Sequence, residues 1–212
     1  MLHLQTFTFN PFQENTYLIT NEKNQCWIVD PGMFDEKEKT HFFNYIAEHK
    51  LSPQAIINTH AHIDHIFGVQ ACMDEYNIPF YLHEKELPVL NGAVSSAQMF
   101  GIPFSQSPQP TSFIEENKPL DLNGETLEVR FAPGHSPGSV VFYYEPGKWV
   151  IGGDVLFNGS IGRTDLPGGN FNTLIESIRT QLFTLPDETI VHSGHGPSTT
   201  IEREKMYNPF LQ

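Results

Sequence analysis

Three runs at the start of the chain place apolar residues at strand spacing: Leu2 to Phe9, Asn15 to Thr20 and Cys26 to Val29. Turn-forming Asn, Pro and Lys residues part them. Asp30-Pro31-Gly32 stops the third. From Asp35 to His49, Phe42, Phe43 and Ile46 stand among charges at the period of an amphipathic helix, and after Pro53 the run Ala55 to Asn58 reads as a buried strand. His65 to Tyr76, with Ile66, Val69, Met73 and Tyr76 on one face, predicts a second helix, and Pro79 to Leu82 another strand. Between Glu84 and Pro119 the periodicity fades. A short helix near Gly92 to Phe100 and a Pro/Ser-rich stretch from Pro103 to Pro110 read as a mobile lid, a substrate loop or an ordinary surface insertion. Beyond it come strand patterns at Thr126 to Phe131, Ser139 to Tyr144 and Trp149 to Ile151, a helix from Asn172 to Phe183 and a last strand from Glu188 to His192. Strands and helices alternating in this way predict an α/β domain with sheet inside and helices outside.

Composition narrows the picture. A length of 212 residues suits one domain over 1–212, and 39% hydrophobic against 17% charged residues is a globular balance. The net charge of −13, with Lys and Arg scattered singly, disfavours nucleic acid as a partner. The N-terminus lacks a basic start followed by an apolar run, and no stretch approaches the roughly 20 apolar residues of a membrane span. The expectation is a cytoplasmic chain with no membrane partner. Cys26 and Cys72 form neither a disulfide framework nor a metal spacing and read as buried reduced thiols.

The strongest chemical signal follows the fourth predicted strand. In Thr59-His60-Ala61-His62-Ile63-Asp64-His65, three imidazoles and a carboxylate crowd into six positions, a ligand set suited to zinc or ferrous iron. His60 and His62, two apart in extended chain, project to one side, while Asp64 and His65 fall where a helix begins, so the motif can feed two adjacent metals. The order of apolar strand, small residues and ligand recurs three times. Val129 to Ala132 leads through Pro133-Gly134 to His135, Trp149-Val150-Ile151 through Gly152-Gly153 to Asp154, and Ile190-Val191 through Ser193-Gly194 to His195. A carboxylate after two glycines suits a ligand that bridges two cations while the backbone folds close to them.

These residues resemble the metallo-β-lactamase superfamily over nearly the whole chain, and within it the single-domain glyoxalase II relatives. The resemblance implies a four-layer αββα sandwich. It further implies two divalent metal ions, zinc with iron or manganese as alternatives. His60, His62 and His135 would hold the first, and Asp64, His65 and His195 the second, with Asp154 as the bridge. Asp30 matches a recurrent Asp-Pro-Gly turn that braces the ligand loop. The implied activity is hydrolysis of S-lactoylglutathione or a related small acyl thioester by a metal-bridging hydroxide, which Asp64 orients as well as ligating metal. Asp154 stands where many β-lactamases carry Cys or Ser, which argues against β-lactam hydrolysis.

Arg163, in Gly159-Ser160-Ile161-Gly162-Arg163-Thr164-Asp165, matches a basic position that contacts the glutathione moiety, although a local pair with Asp165 is an equal alternative. Asp165 and Pro197 replace two family tyrosines, and only 17 residues follow His195, where glyoxalase II enzymes add a helical region that grips glutathione. Two other readings remain: a mononuclear iron persulfide dioxygenase of the same superfamily and a non-catalytic metal-binding module. The Gly196-Pro197 continuation favours the hydrolase over the dioxygenase. His3, His41, His49, His83 and His192 read as structural or surface residues.

Overall fold

The computed structural model describes every residue except Asn117 and resolves into two compact units, residues 1–114 with 122–125, and residues 115–121 with 126–212. In the first, His3–Phe9 (β1), Glu14–Thr20 (β2) and Gln25–Val29 (β3) form an antiparallel meander. Helix α1, Glu36–Glu48, returns the chain to β4, Ser52–Ile57; α2, Val69–Tyr76, leads to β5, Phe80–His83; and α3, Leu87–Met99, precedes β6, Ser112–Ile114. These last three strands add to β3 in parallel, so the sheet runs in chain order. Asp35 caps α1 by accepting the Lys37 and Glu38 N–H groups, each at 2.9 Å. The helix buries Phe42 and Ile46 in a core shared with Phe7, Leu18, Ile28, Ile56, Phe80 and Leu82.

Two expectations are corrected in this unit. The second helix does not start at His65, because Ile63–His65 is a separate tight 3-10 turn and the Gly68 N–H bonds the Pro31 carbonyl at 2.7 Å before α2 begins. The short helix expected near Gly92 to Phe100 is a full helix of 13 residues that starts at Leu87, and the faded segment also holds an edge strand. Its buried stripe, Leu90, Ala93 and Ala97, is built mostly of alanines, which add little to a hydrophobic period but let the helix lie close. Pro88 sits in its first turn, where no helical N–H is required.

The second sheet has the order β14-β13-β10-β9-β8-β7, formed by Leu120–Leu122 (β7), Glu125–Phe131 (β8), Val140–Tyr144 (β9), Trp149–Gly153 (β10), Ile190–Ser193 (β13) and Thr199–Thr200 (β14). A small ribbon, Leu156–Phe157 (β11) with Ser160–Ile161 (β12), and the helices α4, Phe171–Ser177, and α5, Ile201–Tyr207, complete it. The predicted helix over 172–183 is α4 continued by a π-type turn, Ile178–Leu182. Val141, Val150, Leu174, Ile178, Val191 and Ile201 fill this unit's core. The ribbon, β14 and α5 escape a reading by periodicity because each is shorter than two periods or lies at the chain end.

Both cysteines are buried and free, and burial pushes the Cys26 thiol up to about 12 and Cys72 higher still. Among the described residues no helix is long and apolar enough to cross a membrane.

Candidate metal centre

In the first unit β4 ends at Ile57, and Asn58 to His62 continue in irregular conformation, so this backbone must find its hydrogen bonds elsewhere. Side chains supply them. Asn58 Nδ2 donates to the His65 carbonyl at 2.8 Å and the His60 carbonyl at 3.3 Å. Asn10 Nδ2 reaches the Asp64 carbonyl at 3.0 Å, the Glu86 carboxylate accepts the Ala61 N–H at 2.8 Å, and Asp30 Oδ1 accepts the Thr59 N–H at 2.7 Å.

Proton counting then orients two imidazoles. The Thr59 hydroxyl gives its one proton to Asp30 Oδ2 at 2.5 Å, so its oxygen, 3.0 Å from His60 Nδ1, must accept there. His60 therefore carries its proton on Nδ1 and its lone pair on Nε2. His65 Nδ1 lies 3.1 Å from Asp30 Oδ2 and 3.8 Å from Glu14 Oε1, which fixes the same tautomer. Burial pushes the Glu14 carboxyl well above the usual carboxylate range, against the pull of His65.

The rings of His60 and His62 stand 4.8 Å apart at 90°, and His65 lies 4.1 Å from His60. Asp30, His60 and His65 each bring a donor atom within 4.8 Å of the others, yet both Asp30 oxygens already accept hydrogen bonds. Asp30 thus braces the loop through Thr59 and orients the His65 imidazole.

In the second unit His135, Asp154 and His195 stand at the ends of β8, β10 and β13. Gly134 adopts φ +130, and a Cβ there would lie 2.2 Å from the Leu174 backbone nitrogen, so glycine is required just before the ligand. His135 Nδ1 donates to the Arg163 carbonyl at 2.8 Å, leaving the lone pair on Nε2. That Nε2 and His195 Nε2 each lie 3.5 Å from Asp154 Oδ2. One carboxylate oxygen is shared between two imidazoles. Gly162 permits this closeness, since a Cβ there would meet the Asp154 carbonyl at 1.9 Å and His135 Nδ1 at 3.0 Å.

The spacing fits a cation. Donors at ~2.0–2.1 Å from a tetrahedral zinc stand about 3.4 Å from each other. The two 3.5 Å separations around Asp154 Oδ2, and 3.7 Å between His65 Nε2 and Asp64 Oδ2, approach that figure and exceed an ordinary hydrogen bond.

Of the other singled-out residues, Arg163 forms the local pair. Its Nε and one terminal nitrogen reach both Asp165 oxygens, at 2.7 and 2.8 Å, and hold the Asp165 carboxyl down at about 2. His192 is structural: it edges Trp149, shares a 3.0 Å hydrogen bond with Ser198 Oγ, and burial lowers it to about 4. Glu14, Asn10, Asn58 and Glu86 were not foreseen. Their only signal was polar side chains beside apolar strands and helices.

A family model described as the metallo-beta-lactamase superfamily matches residues 9–195. The chain is 45% identical to the probable metallo-hydrolase YqgX of Bacillus subtilis, covering 95% of this chain and 93% of the relative. It is 35% identical to the hydroxyacylglutathione hydrolase GloC of Haemophilus influenzae, covering 99% and 98%. Among solved structures, the BLEG-1 B3 metallo-beta-lactamase superposes with a TM-score of 0.90 at 40% identity, over 99% of this chain and all of that one. TTHA1623 in a di-iron-bound form gives 0.87 at 41%, over 98% and 100%.

Proposed function

The chain belongs to the metallo-β-lactamase superfamily, has its fold and is a metallo-hydrolase, and from that premise we propose that it hydrolyses a small acyl thioester of the S-lactoylglutathione type. The observation that carries the reading is the likeness to a hydroxyacylglutathione hydrolase over 99% of this chain and 98% of that relative. The donor chemistry of each unit supports it.

In this reading His60, His62 and His135 hold one divalent cation, Asp64, His65 and His195 a second, and Asp154 serves both. Zinc suits the imidazole-rich set, and iron is an alternative that the di-iron form of TTHA1623 makes concrete. Such ions supply acidified water and an electrophile for the thioester carbonyl. The residues do the rest. Asp30 and Thr59 keep the imidazole lone pairs aimed, and Asp64 accepts a hydrogen bond from the attacking water as well as ligating. Water adds to the acyl carbon, the carbon–sulfur bond breaks, and carboxylic acid and thiol leave. Arg163 reaches a substrate carboxylate only by exchanging its Asp165 partner, so it contributes modestly to binding.

The likeness to a B3 metallo-beta-lactamase gives β-lactam hydrolysis as a second reading. Both are tested on one purified, metal-analysed preparation with S-lactoylglutathione, the chromogenic cephalosporin nitrocefin and, by oxygen electrode, glutathione persulfide. The expected result is thioester loss with stoichiometric thiol release and no oxygen uptake. Nitrocefin turnover without thioesterase activity would install the second reading. A single iron with persulfide-dependent oxygen uptake would overturn both.

A further inference from the structure

We propose that Glu86 is a positioning residue of the metal centre, setting the peptide plane between the ligands His60 and His62; the inference rests on the dinuclear reading above. The His60–Ala61 peptide is pinned at both ends. Its carbonyl accepts from Asn58 Nδ2 at 3.3 Å, and its N–H donates to Glu86 Oε2 at 2.8 Å. A trans peptide is rigid, so holding its two polar ends fixes the direction in which the chain enters His60 and leaves for His62. The two clamps come from different places. Asn58 is local to the loop, whereas Glu86 lies 25 positions on, in the turn Glu84–Glu86 that runs directly into α3.

That origin matters. Helix α3 is anchored through the fully buried Leu90 and Ala97 and packs against the Ile63–His65 turn as well. This segment therefore meets the loop at two places, through the Glu86 carboxylate at Ala61 and where α3 lies against Ile63–His65. Glu86 is 0% exposed. Burying a carboxylate is costly unless hydrogen bonds engage it, and the Ala61 N–H engages this one. The Ala61 N–H, equally shielded at 0% exposure, would lose its partner if the carboxylate were removed.

The test measures Co²⁺ binding to chelator-stripped protein by competition titration, together with the visible spectrum of the Co²⁺-loaded form, for wild type, Glu86→Ala, Glu86→Gln and Glu86→Asp. Loss of an outer-shell partner weakens metal binding on the order of 10–100-fold. Glu86→Ala is expected to lose that much and to change the Co²⁺ spectrum. Glu86→Gln, which keeps an acceptor oxygen at the same reach, is expected to restore both. Should Glu86→Ala not fold, Glu86→Asp, charged but one methylene short, is expected to show the loss in a folded chain. Unchanged Co²⁺ affinity and spectrum in Glu86→Ala, or in folded Glu86→Asp, would overturn the proposal. So would a Glu86→Gln variant as impaired as Glu86→Ala, which would assign the effect to charge. If wild type itself binds no Co²⁺, the dinuclear reading fails and this inference with it. Tight Co²⁺ binding without thioester hydrolysis sinks only the substrate assignment.

Discussion

His60 and His65 present their Nε2 lone pairs because Thr59, Asp30 and a single hydroxyl proton leave no other arrangement, and His135 does so because a carbonyl faces its Nδ1. The candidate ligands stand out in the sequence, since four of them crowd into six positions and the other three each follow strand and glycine. Their supports were not. Glu14, Asn58 and Glu86 belong to no motif of their own, and a single carboxylate or amide has no period or spacing to mark it as buried. His192 shows the opposite case, an imidazole beside a ligand strand that takes a structural place. Its folded pKa, near 4 through burial, lies below the ordinary 6.5. Between those values the unfolded chain holds a proton that the folded one does not, so stability is complete above pH 6.5 and is lost as pH falls toward 4. Comparing urea unfolding of wild type and His192→Asn across pH 4 to 7 should remove a slope of up to about 1.4 kcal/mol per pH unit, one proton's worth. Parallel profiles for the two proteins would refute this burial effect.

At the scale of elements, the strong periodicities were readable to within a few residues: the opening meander, α1, and strands β8 to β10 all lie where the apolar spacing puts them. What misled was side-chain size. An alanine-lined helix buries its face without announcing it, so only the second half of α3 shows in the sequence, as a short helix near Gly92 to Phe100. The packing of that helix predicts a clear contrast. Leu90→Ala, at a fully buried position, should cost about 2–5 kcal/mol of unfolding free energy. Met99→Ala, with 87% of the residue exposed at the helix end, should stay within about 0.5 kcal/mol. Equal, small effects in denaturant titrations would mean that the segment is not packed as a helix. The chain just before the same helix carries Glu86, whose carboxylate accepts the Ala61 N–H, so the segment is tied to the histidine-rich loop.

For the whole molecule, the family resemblance lies in motif order along the chain, from His60 to His195, and the superfamily model matches the longer span 9–195 that contains it. Charge balance belongs to this scale too. A chain of net charge −13 gains from binding divalent cations. The substrate is least legible, because the residues that select an acyl group or thiol carrier form no motif. The account turns on two cations acting together on a thioester. Its most direct test is to strip the protein of metal and follow S-lactoylglutathione hydrolysis while Zn²⁺ is returned in measured equivalents. The account predicts that activity rises until two Zn²⁺ are bound per chain and then stays level; a plateau at one equivalent, or no recovery at any, would contradict it.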